Sequence, residues 1–419
     1  MNIAVIGAGP AGLIAGAIAA KNGARVEIID RNERAGRKLY LTGKGRCNIT
    51  NSADLDGFMK NTVHNGRFLF SAFSGFFSND ILDILQKEGV PVKLERGGRY
   101  FPESDKSSDV IRALVAYASH CGARFLLGTE VKSVAKTDTG FTVKTSGAYG
   151  GTRQYDRVIL ATGGMSYPST GSTGDGYRFA EHFSHTVLPP KPSLTALETV
   201  ESWPSELMGL SLKNVTLRAY KPEKAGTSNK KRKPVYEELG EMLFTHFGVS
   251  GPLVLSASSY LADEPAGAKL TVDLKPALTE AQLDARLLRD FDKYRLKQVR
   301  NAMQEVLPQR LIGTVLMLSG VSPETTIDEL TREERGAIVK TLKCMEMTVK
   351  RPRPIDEAII TRGGVSVKEI DPKTMESKLV PGLYFAGELI DADACTGGFN
   401  LQIAWSTGAA AGAASAEEY

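Results

Sequence analysis

Cysteine is scarce in this sequence, which contains four cysteines among 419 residues. No two of them have the Cys-x-x-Cys spacing that is typical of zinc ligands or redox pairs. A chain with so few cysteines ordinarily works in a reducing compartment. We therefore expect no metal site and no disulfide framework among the cysteines, which are Cys47, Cys121, Cys344 and Cys395.

Long hydrophobic runs are also missing from the chain. No stretch approaches the roughly 18 uninterrupted apolar residues that indicate a membrane-spanning helix. The apolar start, MNIAVIGAGPAG, soon breaks into glycines and lacks the basic residues that open a signal peptide. These absences predict a cytoplasmic enzyme that does not act with a membrane.

Neither sign of charge dominates, because 52 Lys and Arg face 48 Asp and Glu, which gives a net charge of +4. This slightly basic balance permits a polyanionic partner without indicating one. A length of 419 residues exceeds that of an ordinary single domain. The sequence therefore predicts a globular protein of two or three domains.

Glycine, by contrast, is abundant, and its first cluster follows a short apolar strand in the segment Gly7-Ala8-Gly9-Pro10-Ala11-Gly12. In this GxGxxG pattern Gly7 permits a tight turn, Gly9 lets the backbone approach a pyrophosphate, and Gly12 lets the next helix pack closely. The N-terminus of that helix attracts the anion. A second strand ends at Asp30, whose carboxylate can accept the ribose hydroxyls. Together these features predict a dinucleotide site.

Two later segments favour FAD over a nicotinamide as the dinucleotide. An apolar strand runs into Thr162-Gly163-Gly164, and residues 382–388 read GLYFAGE, a second strand that ends in Gly-Glu. Gly397-Gly398 then opens a final small-residue helix, whose N-terminus would stabilise negative charge on a reduced flavin. Glu388 or Asp391 would hold the ribityl or pyrophosphate side. No second GxGxxG follows the first, so NAD(P)H as a reductant would need a transient site.

A basic, glycine-rich stretch from Arg37 to Asn51 has almost no hydrophobic periodicity, and we interpret it as a functional loop rather than a core element. Its cations and backbone N–H groups would lie over the pyrophosphate and the isoalloxazine, although a solvated basic turn has the same pattern. Cys47 is the one thiol in this loop. Beside Arg46 its pKa is expected to be lowered, which makes it a candidate proton donor. A small packed residue is an equally good interpretation of Cys47.

Together the motifs resemble those of the HI0933-like (BaiN/RdsA-like) flavoprotein family of the two-dinucleotide-binding-domain superfamily. The most specific parts are TGKGRCNITN at 42–51, TRGGV at 361–365 and GGFNLQIAWSTG at 397–408. The resemblance implies an α/β fold in which a discontinuous Rossmann-type FAD-binding domain is interrupted by an inserted β-barrel domain and a small helical domain. The FAD-binding residues singled out by the motifs and the resemblance are Gly7, Gly9, Pro10, Ala11, Gly12, Asp30, Arg31, Arg37, Lys38, Gly43, Gly45, Arg46, Cys47, Asn48, Val131, Thr162, Gly163, Gly164, Gly387, Glu388, Asp391, Gly398, Phe399, Asn400 and Leu401.

The expected domains follow the changes of pattern along the chain. Residues 1–191 form the first FAD-binding segment, with a helix over 79–88 and a small β-meander within 124–159. Short alternating strands over 192–278 indicate a barrel or a sandwich, and the resemblance implies the barrel. Residues 279–343 have helical periodicity with a capping box at Thr331. Residues 344–419 return to the barrel edge and complete the FAD-binding domain. Such an insert places the substrate at the domain boundary, where pockets usually form.

The activities known in the resembling family are reduction of unsaturated 3-oxo bile acids, synthesis of dihydrouridine in large-subunit ribosomal RNA, and amine oxidation. The first two act on a carbon–carbon double bond conjugated to a carbonyl. We therefore interpret the protein as an FAD-dependent reductase of such bonds, with NAD(P)H as the source of electrons. We favour a small-molecule enone, an unsaturated 3-oxo steroid or bile acid, because Leu, Phe and Val of the insert could line an apolar pocket. Ribosomal RNA is the close alternative and an amine-oxidising flavoprotein the third.

Three features of the remaining sequence are weaker candidates. His246, in LFTHFGVSGP, is a candidate proton donor, although an isolated histidine is more often a structural hydrogen-bonding group. Lys230–Lys233 is a basic cluster that could contact phosphate, although most such runs are solvated. A second modest basic cluster consists of Lys343, Lys350, Arg351 and Arg353.

Overall fold

The computed structural model describes residues 1–223 and 232–417. The chain forms two compact units, the first built from Met1–Ser193 with Pro354–Tyr419 and the second from Leu194–Arg353. The first unit is therefore discontinuous in sequence, and the fold class expected from the resemblance is confirmed. Among the described residues no single helix is both long and apolar enough to cross a membrane, and one bent pair, Gly66–Gly75 with Ser78–Lys87, would meet that test only by length and composition.

The first unit begins with a strand–helix–strand motif that consists of β1 (Asn2–Ile6), α1 (Pro10–Lys21) and β2 (Arg25–Ile29). Helix α1 is buried around most of its circumference, which its Ala and Gly residues allow. The elements that follow are α2 (Arg37–Leu41), β3 (Thr50–Asn51), α3 (Leu55–Asn61), β4 (Thr62–His64), α4 (Gly66–Gly75), α5 (Ser78–Lys87), β5 (Val92–Glu95), β6 (Arg99–Pro102), α6 (Ser107–His120), β7 (Arg124–Leu126), β8 (Thr129–Thr137), β9 (Gly140–Gly147), β10 (Gly151–Tyr155), β11 (Arg157–Leu160), α7 (Asp175–His182) and β12 (Val187–Ser193).

The second unit contains a closed barrel and a group of helices that share one hydrophobic core. In chain order the elements are β13 (Leu197–Thr199), α8 (Trp203–Glu206), β14 (Ser211–Tyr220), β15 (Tyr236–Thr245), β16 (Gly248–Ser250), α9 (Pro252–Leu261), β17 (Lys269–Asp273), α10 (Glu280–Asp292), α11 (Val299–Ala302), α12 (Gln309–Ser319), α13 (Arg332–Lys343) and β18 (Met345–Pro352). The strand order of the barrel is β13-β16-β15-β14-β17-β18, and the helices α10 and α13 begin with capping boxes at Thr279 and Thr331.

The C-terminal segment returns to the first unit and completes its parallel sheet. It contributes β19 (Ile360–Val365), β20 (Leu383–Phe385), β21 (Asp393–Ala394) and α14 (Phe399–Ala416). The sheet has the order β20-β11-β1-β2-β7, so the strand next to β11 comes from the far end of the sequence. The predicted β-meander is present as the antiparallel sheet β10-β9-β8. The pairs β12–β19 and β21–β4 join the C-terminal and N-terminal segments, and the sheet β3-β6-β5 lies within the N-terminal segment.

Candidate functional site

Three glycines shape the turn between β1 and α1. The backbone requires Gly7 and Gly12, whereas Gly9 borders open space. Gly7 has a φ of +111°, and a Cβ on Gly12 would lie 1.8 Å from the Gly7 oxygen. A Cβ on Gly9, the N-cap of α1, would meet no atom within 4 Å. Pro10 and Ala11 then open the helix. The N-terminus of α1 therefore faces open space, as an anion site at a helix end requires.

Asp30 links the end of β2 to this turn. Its Oδ2 accepts a hydrogen bond from the Ala8 N–H at 2.7 Å, and its Oδ1 accepts one from the Asn32 N–H at 2.8 Å. Arg37, which is exposed, donates to the Asn32 Oδ1 at 3.0 Å. The acid predicted to bind ribose thus stands beside the glycine turn.

Arg31, which follows Asp30 in the chain, and Val131 of β8 were also predicted to bind the cofactor. Arg31 forms ion pairs with Glu130, at 3.1 Å, and with Asp175. Val131 is buried in β8, where it pairs with Thr145 of β9. The charge of Arg31 is balanced by these two carboxylates within the protein.

Two buried hydroxyl groups near the end of β11 make no hydrogen bond within the part of the chain that the structure describes. They are Thr162 Oγ1, in the Thr-Gly-Gly segment, and Tyr177 Oη in α7. Burial, with Glu388 and Asp391 nearby, raises the pKa of Tyr177 far above its ordinary value. An unsatisfied buried hydroxyl is costly, and a polar ligand removes that cost. With the open space beside Gly9, these groups fit a dinucleotide cofactor, which Gly9, Asp30 and Thr162 would hold.

A largely buried ion pair joins three of the predicted segments. Lys38 Nζ lies 2.5 Å from Glu388 Oε2 and donates to Ser166 Oγ at 2.6 Å. The other Glu388 oxygen accepts from the Thr361 N–H at 2.7 Å. Gly387, which precedes Glu388, lies close enough to α1 that its Cβ would stand 2.9 Å from the Ala11 Cβ. The basic loop, the segment after Gly164 and the GLYFAGE segment therefore meet at Glu388.

The loop after α2 is held in an unusual backbone conformation. Gly43 and Gly45 have φ values of +58° and +84°, and the non-glycine residues Lys44 and Cys47 have φ values of +58° and +62°. Side chains rarely adopt this left-handed region, and such strain concentrates at functional sites.

The interpretation of Arg37–Asn51 as free of core residues was wrong. Leu39, Cys47 and Ile49 are fully buried and belong to a hydrophobic cluster that includes Trp405 of α14. Their irregular spacing arises because two tight turns lie between them, so no helical or strand period marks them in the sequence.

The predicted lowering of the Cys47 pKa was also wrong. Burial raises the pKa of the Cys47 thiol to about 12, although a hydrogen bond with Thr42 opposes the shift. The neighbouring Arg46 turns away, pairing with Glu95 and Asp105 and lying 4.1 Å above the ring of Phe101. The role of Cys47 as a proton donor stays a prediction, and complete burial weighs against it.

The glycine turn before α14 is tied to the basic loop. In the amide orientation that satisfies both groups, Asn48 accepts from the Gly398 N–H at 3.0 Å. Asn400 brackets Ala394, accepting from its N–H at 2.9 Å and donating to its oxygen at 2.8 Å. Phe399 packs edge-on against Phe58, and Leu401 is partly buried.

The sequence did not reveal a polar cluster around Asp391. His64 Nε2 lies 3.0 Å from Asp391 Oδ2, and an Arg362 nitrogen lies 3.1 Å from His64 Nδ1. Asp393 is buried beside them. Arg362 belongs to the TRGGV motif, whereas nothing in the sequence around His64 indicated a function.

The weaker candidates lie in the second unit. His246 is exposed in the turn between β15 and β16. Lys230 and Lys231 fall outside the described residues. The second basic cluster is largely neutralised, since Lys343 pairs with Asp273 at 2.7 Å and both Arg351 and Arg353 pair with Glu198 at 2.7 and 2.9 Å.

Comparison with known proteins agrees with this geometry. The family model described as HI0933-like protein Rossmann domain matches residues 1–414. The ribosomal RNA dihydrouridine synthase of Escherichia coli (strain K12) is 33% identical over 404 residues, which are 96% of this chain and 95% of that protein. The 3-dehydro-bile acid delta(4,6)-reductase of Clostridium scindens is 30% identical over 424 residues, 99% of each protein.

A solved structure shares the fold. The 3-ketosteroid-delta4-(5alpha)-dehydrogenase from Rhodococcus jostii RHA1 superposes with a TM-score of 0.53 at 15% identity, over 99% of this chain and 96% of that one. At this identity the similarity concerns the fold alone.

Proposed function

This chain belongs to the HI0933-like family of FAD-dependent oxidoreductases, and we propose that it saturates a carbon–carbon double bond conjugated to a carbonyl. The cofactor assignment rests on two features: the open helix N-terminus at Gly9, and the buried, unsatisfied hydroxyl of Thr162, whose backbone lies against Gly7 of the same turn. The reaction part is supported by the names of the two relatives. Dihydrouridine forms when the C5–C6 bond of uracil, conjugated to the C4 carbonyl, is saturated, and a Δ4,6 reductase saturates bonds conjugated to a 3-oxo group.

In this reaction bound FAD, once reduced, would supply a hydride equivalent to the β carbon of the substrate. The residues of the chain then have two tasks. They hold donors towards the carbonyl oxygen, where one good donor typically lowers the barrier by about 3–4 kcal/mol. They also deliver a proton to the α carbon. NADH or NADPH is the reductant that we propose, bound at a transient site.

We propose uridine in ribosomal RNA as the substrate. The dihydrouridine synthase relative has the higher identity of the two. The charge excess of one segment also supports RNA: residues 286–300 contain six basic and two acidic side chains, so Arg289, Lys293 and Arg295, which are largely exposed, share the two aspartates of this segment as ion-pair partners. Exposed cations of this kind bind phosphate in a salt-dependent way.

An unsaturated 3-oxo steroid or bile acid is the second candidate, supported by the nearly complete overlap with the Clostridium scindens reductase. The apolar residues of the insert, which favoured this substrate in the sequence, lie largely in the core of the second unit, as Leu217, Phe244 and Val272 do. Their place in the core leaves these side chains unavailable as the lining of a steroid pocket.

Anaerobic single-turnover mixing separates the candidates. The holoprotein, reduced with NADH or NADPH, is mixed with unmodified large-subunit ribosomal RNA made by transcription, or with a 3-oxo-Δ4 steroid. We expect the RNA to reoxidise the flavin and to gain dihydrouridine by mass spectrometry, while RNA that already carries dihydrouridine serves as the control. Reoxidation by the steroid alone would favour the second candidate. Reduction of the oxidised flavin by an amine, with no reaction of either acceptor, would favour an amine oxidase and contradict the proposal.

A further inference from the structure

Four ionisable side chains from separate segments of the first unit lie close together, near the part of the chain between Glu388 and Gly398. They are His64 of β4, Arg362 of β19, Asp391 just before β21, and Asp393, the first residue of β21. We call these four residues the carboxyl cluster. Asp391, Asp393 and Arg362 are buried, whereas the side chain of His64 is 32% exposed. The cluster is adjacent in the chain to Glu388, which binds Lys38, and to the glycine N-cap of α14. It therefore lies beside the residues proposed to hold the flavin.

The hydrogen bonds of the cluster define the tautomer of His64. A guanidinium can only donate, so the nitrogen of Arg362 at 3.1 Å makes His64 Nδ1 the acceptor. The ring proton then lies on Nε2, which donates to Asp391 Oδ2 at 3.0 Å. Asn65 donates to the same carboxylate oxygen, also at 3.0 Å. His64 is neutral in this arrangement, and Asp391 is satisfied as a carboxylate.

Asp393 has a different environment. Ser193 donates to its Oδ2 at 2.6 Å, but its Oδ1 makes no hydrogen bond to any described residue. Burial raises the pKa of Asp393, and Asp391 adds to that shift, while Arg362, Ser193 and His64 oppose it. An unpartnered oxygen in a buried carboxyl is the position where a proton is most easily kept.

The charges of the cluster also indicate that it holds one proton. With His64 neutral, two carboxyl groups face one guanidinium, and a buried net negative charge is costly. One added proton makes the cluster neutral. We propose that the carboxyl cluster stores this proton on Asp393, takes it up from solvent, and delivers it to the α carbon of the substrate. The delivery step rests on the proposed function.

The step is balanced. The substrate gains a hydride from the reduced cofactor, which is thereby oxidised, and a proton from Asp393, which becomes a carboxylate. A proton from bulk solvent then restores the acid form of Asp393. No other reactant is needed.

The stored proton can be tested without turnover. Infrared difference spectra of the purified protein, wild type minus Asp393→Asn at neutral pH, are expected to show the C=O stretch of a protonated carboxylic acid. The control is Asp290→Asn, which removes a buried carboxylate that Arg286 neutralises in α10 and should show no such band. Nitrogen NMR of the five histidines, assigned with His64→Gln, is expected to find His64 protonated on Nε2 alone. Absence of the band, or an imidazolium at His64, would overturn the proposal.

The delivery step has its own test. The Asp393→Asn holoprotein should keep its flavin spectrum and be reduced normally, but its single-turnover reoxidation by the accepted substrate should slow by roughly 100-fold or more. An unchanged rate beside a clear infrared band would refute delivery while the proposed function stands. A wild type that reduces no enone or RNA would refute the proposed function, and delivery with it, and the infrared band would then decide the stored proton alone. If Asp393→Asn does not fold, Ser193→Ala, which removes a hydrogen bond to this carboxyl, is expected to shift the band.

Discussion

Gly408 of α14 lies against the backbone carbonyl of Ala11 in α1, so closely that a Cβ on Gly408 would stand 2.4 Å from that oxygen. One turn later Gly412 has the same relation to the carbonyl of Ala15, also at 2.4 Å. The last helix of the chain therefore fixes the first, whose N-terminus carries the glycine turn. The proposed cofactor site therefore depends on packing between the first and last helices of the first unit.

Replacing Gly408 by Ala is expected to lower the free energy of unfolding by about 1–3 kcal/mol, because a methyl group forced into a filled space separates the helices. FAD affinity should fall as well, since α1 moves with its N-terminus. Urea unfolding and FAD titration measure the two effects. The control is Gly313→Ala in α12, where a Cβ meets no atom within 4 Å and helix propensity should add about 0.5–1 kcal/mol. Equal stability of the two variants would contradict the packing argument.

The parts of the site that the sequence predicted are those encoded in contiguous motifs. The turn at Gly7–Gly12 and the strand that ends before Thr162 stand in the predicted order because each is local in the chain. The binding roles of these residues remain predictions. The Rossmann-type fold and the inserted barrel could be predicted because they follow from alternation, periodicity and a family resemblance.

The parts that the sequence missed depend on tertiary contacts. Nothing near Cys47 in the sequence indicated that it would share a buried hydrophobic cluster with Trp405. The neighbouring arginine therefore suggested a lowered pKa, whereas burial raises the pKa of this thiol. His64 and Arg362 are almost 300 residues apart and meet because β4 pairs with β21, which in turn contacts β19. A single sequence contains no period or spacing that predicts such a contact.

Gly9 provides a test of cofactor binding that is independent of folding. Its φ of −83° suits any residue and its surroundings are open, so Gly9→Ala should leave the stability of the apoprotein unchanged. The added methyl group would occupy the space proposed for the pyrophosphate, and FAD affinity should drop by at least tenfold, about 1.4 kcal/mol. Thermal melting of the apoprotein and flavin fluorescence report the two quantities.

Gly12→Ala is the matched variant for this experiment. Its methyl group would lie 1.8 Å from the Gly7 oxygen, so the apoprotein itself should be destabilised. If Gly9→Ala bound FAD as tightly as the wild type does, the turn would be a structural feature and not a diphosphate site.

The pair formed by Lys38 and Glu388 should behave as one unit in the apoprotein. Both side chains are largely buried, so Lys38→Met leaves an unpaired carboxylate and should approach the roughly 3–5 kcal/mol cost of breaking a buried pair. The double variant Lys38→Met/Glu388→Gln should be more stable than Lys38→Met alone. Urea unfolding of the wild type, both single variants and the double variant gives the coupling energy, and additive effects would show that the pair is not coupled.

The cysteines should differ in reactivity according to their burial. Cys344 is exposed, Cys121 is half-buried, and Cys47 and Cys395 are buried. Because burial raises the pKa of Cys47 to about 12, its thiol stays protonated at neutral pH and should resist alkylation in the folded protein. Iodoacetamide labelling followed by peptide mass mapping should find Cys344 modified first. Early modification of Cys47 would restore the view that its thiol is reactive.

His185 should make the first unit less stable in mild acid. Its ring is buried, with Nε2 2.8 Å from Ser377 Oγ and Nδ1 3.2 Å from a Glu369 oxygen. Burial lowers the pKa of His185, although Glu369 opposes the shift. The folded state therefore binds a proton at His185 less readily than the unfolded chain, in which histidine has a pKa of about 6.5. The stability that the neutral ring contributes is complete above that pKa, and it is lost as the pH falls through the lower pKa of His185 in the folded state.

Because only one proton is involved, the effect of His185 on the free energy of unfolding cannot exceed about 1.4 kcal/mol for each pH unit in that window. Unfolding free energies of the wild type and of His185→Gln, measured between neutral pH and pH 5, should therefore converge as the pH falls, because glutamine has no proton to bind. His120→Gln, at an exposed histidine, should follow the wild type throughout. Profiles for His185→Gln and the wild type that stay parallel would mean that the buried ring keeps its ordinary pKa, with Glu369 compensating fully for burial.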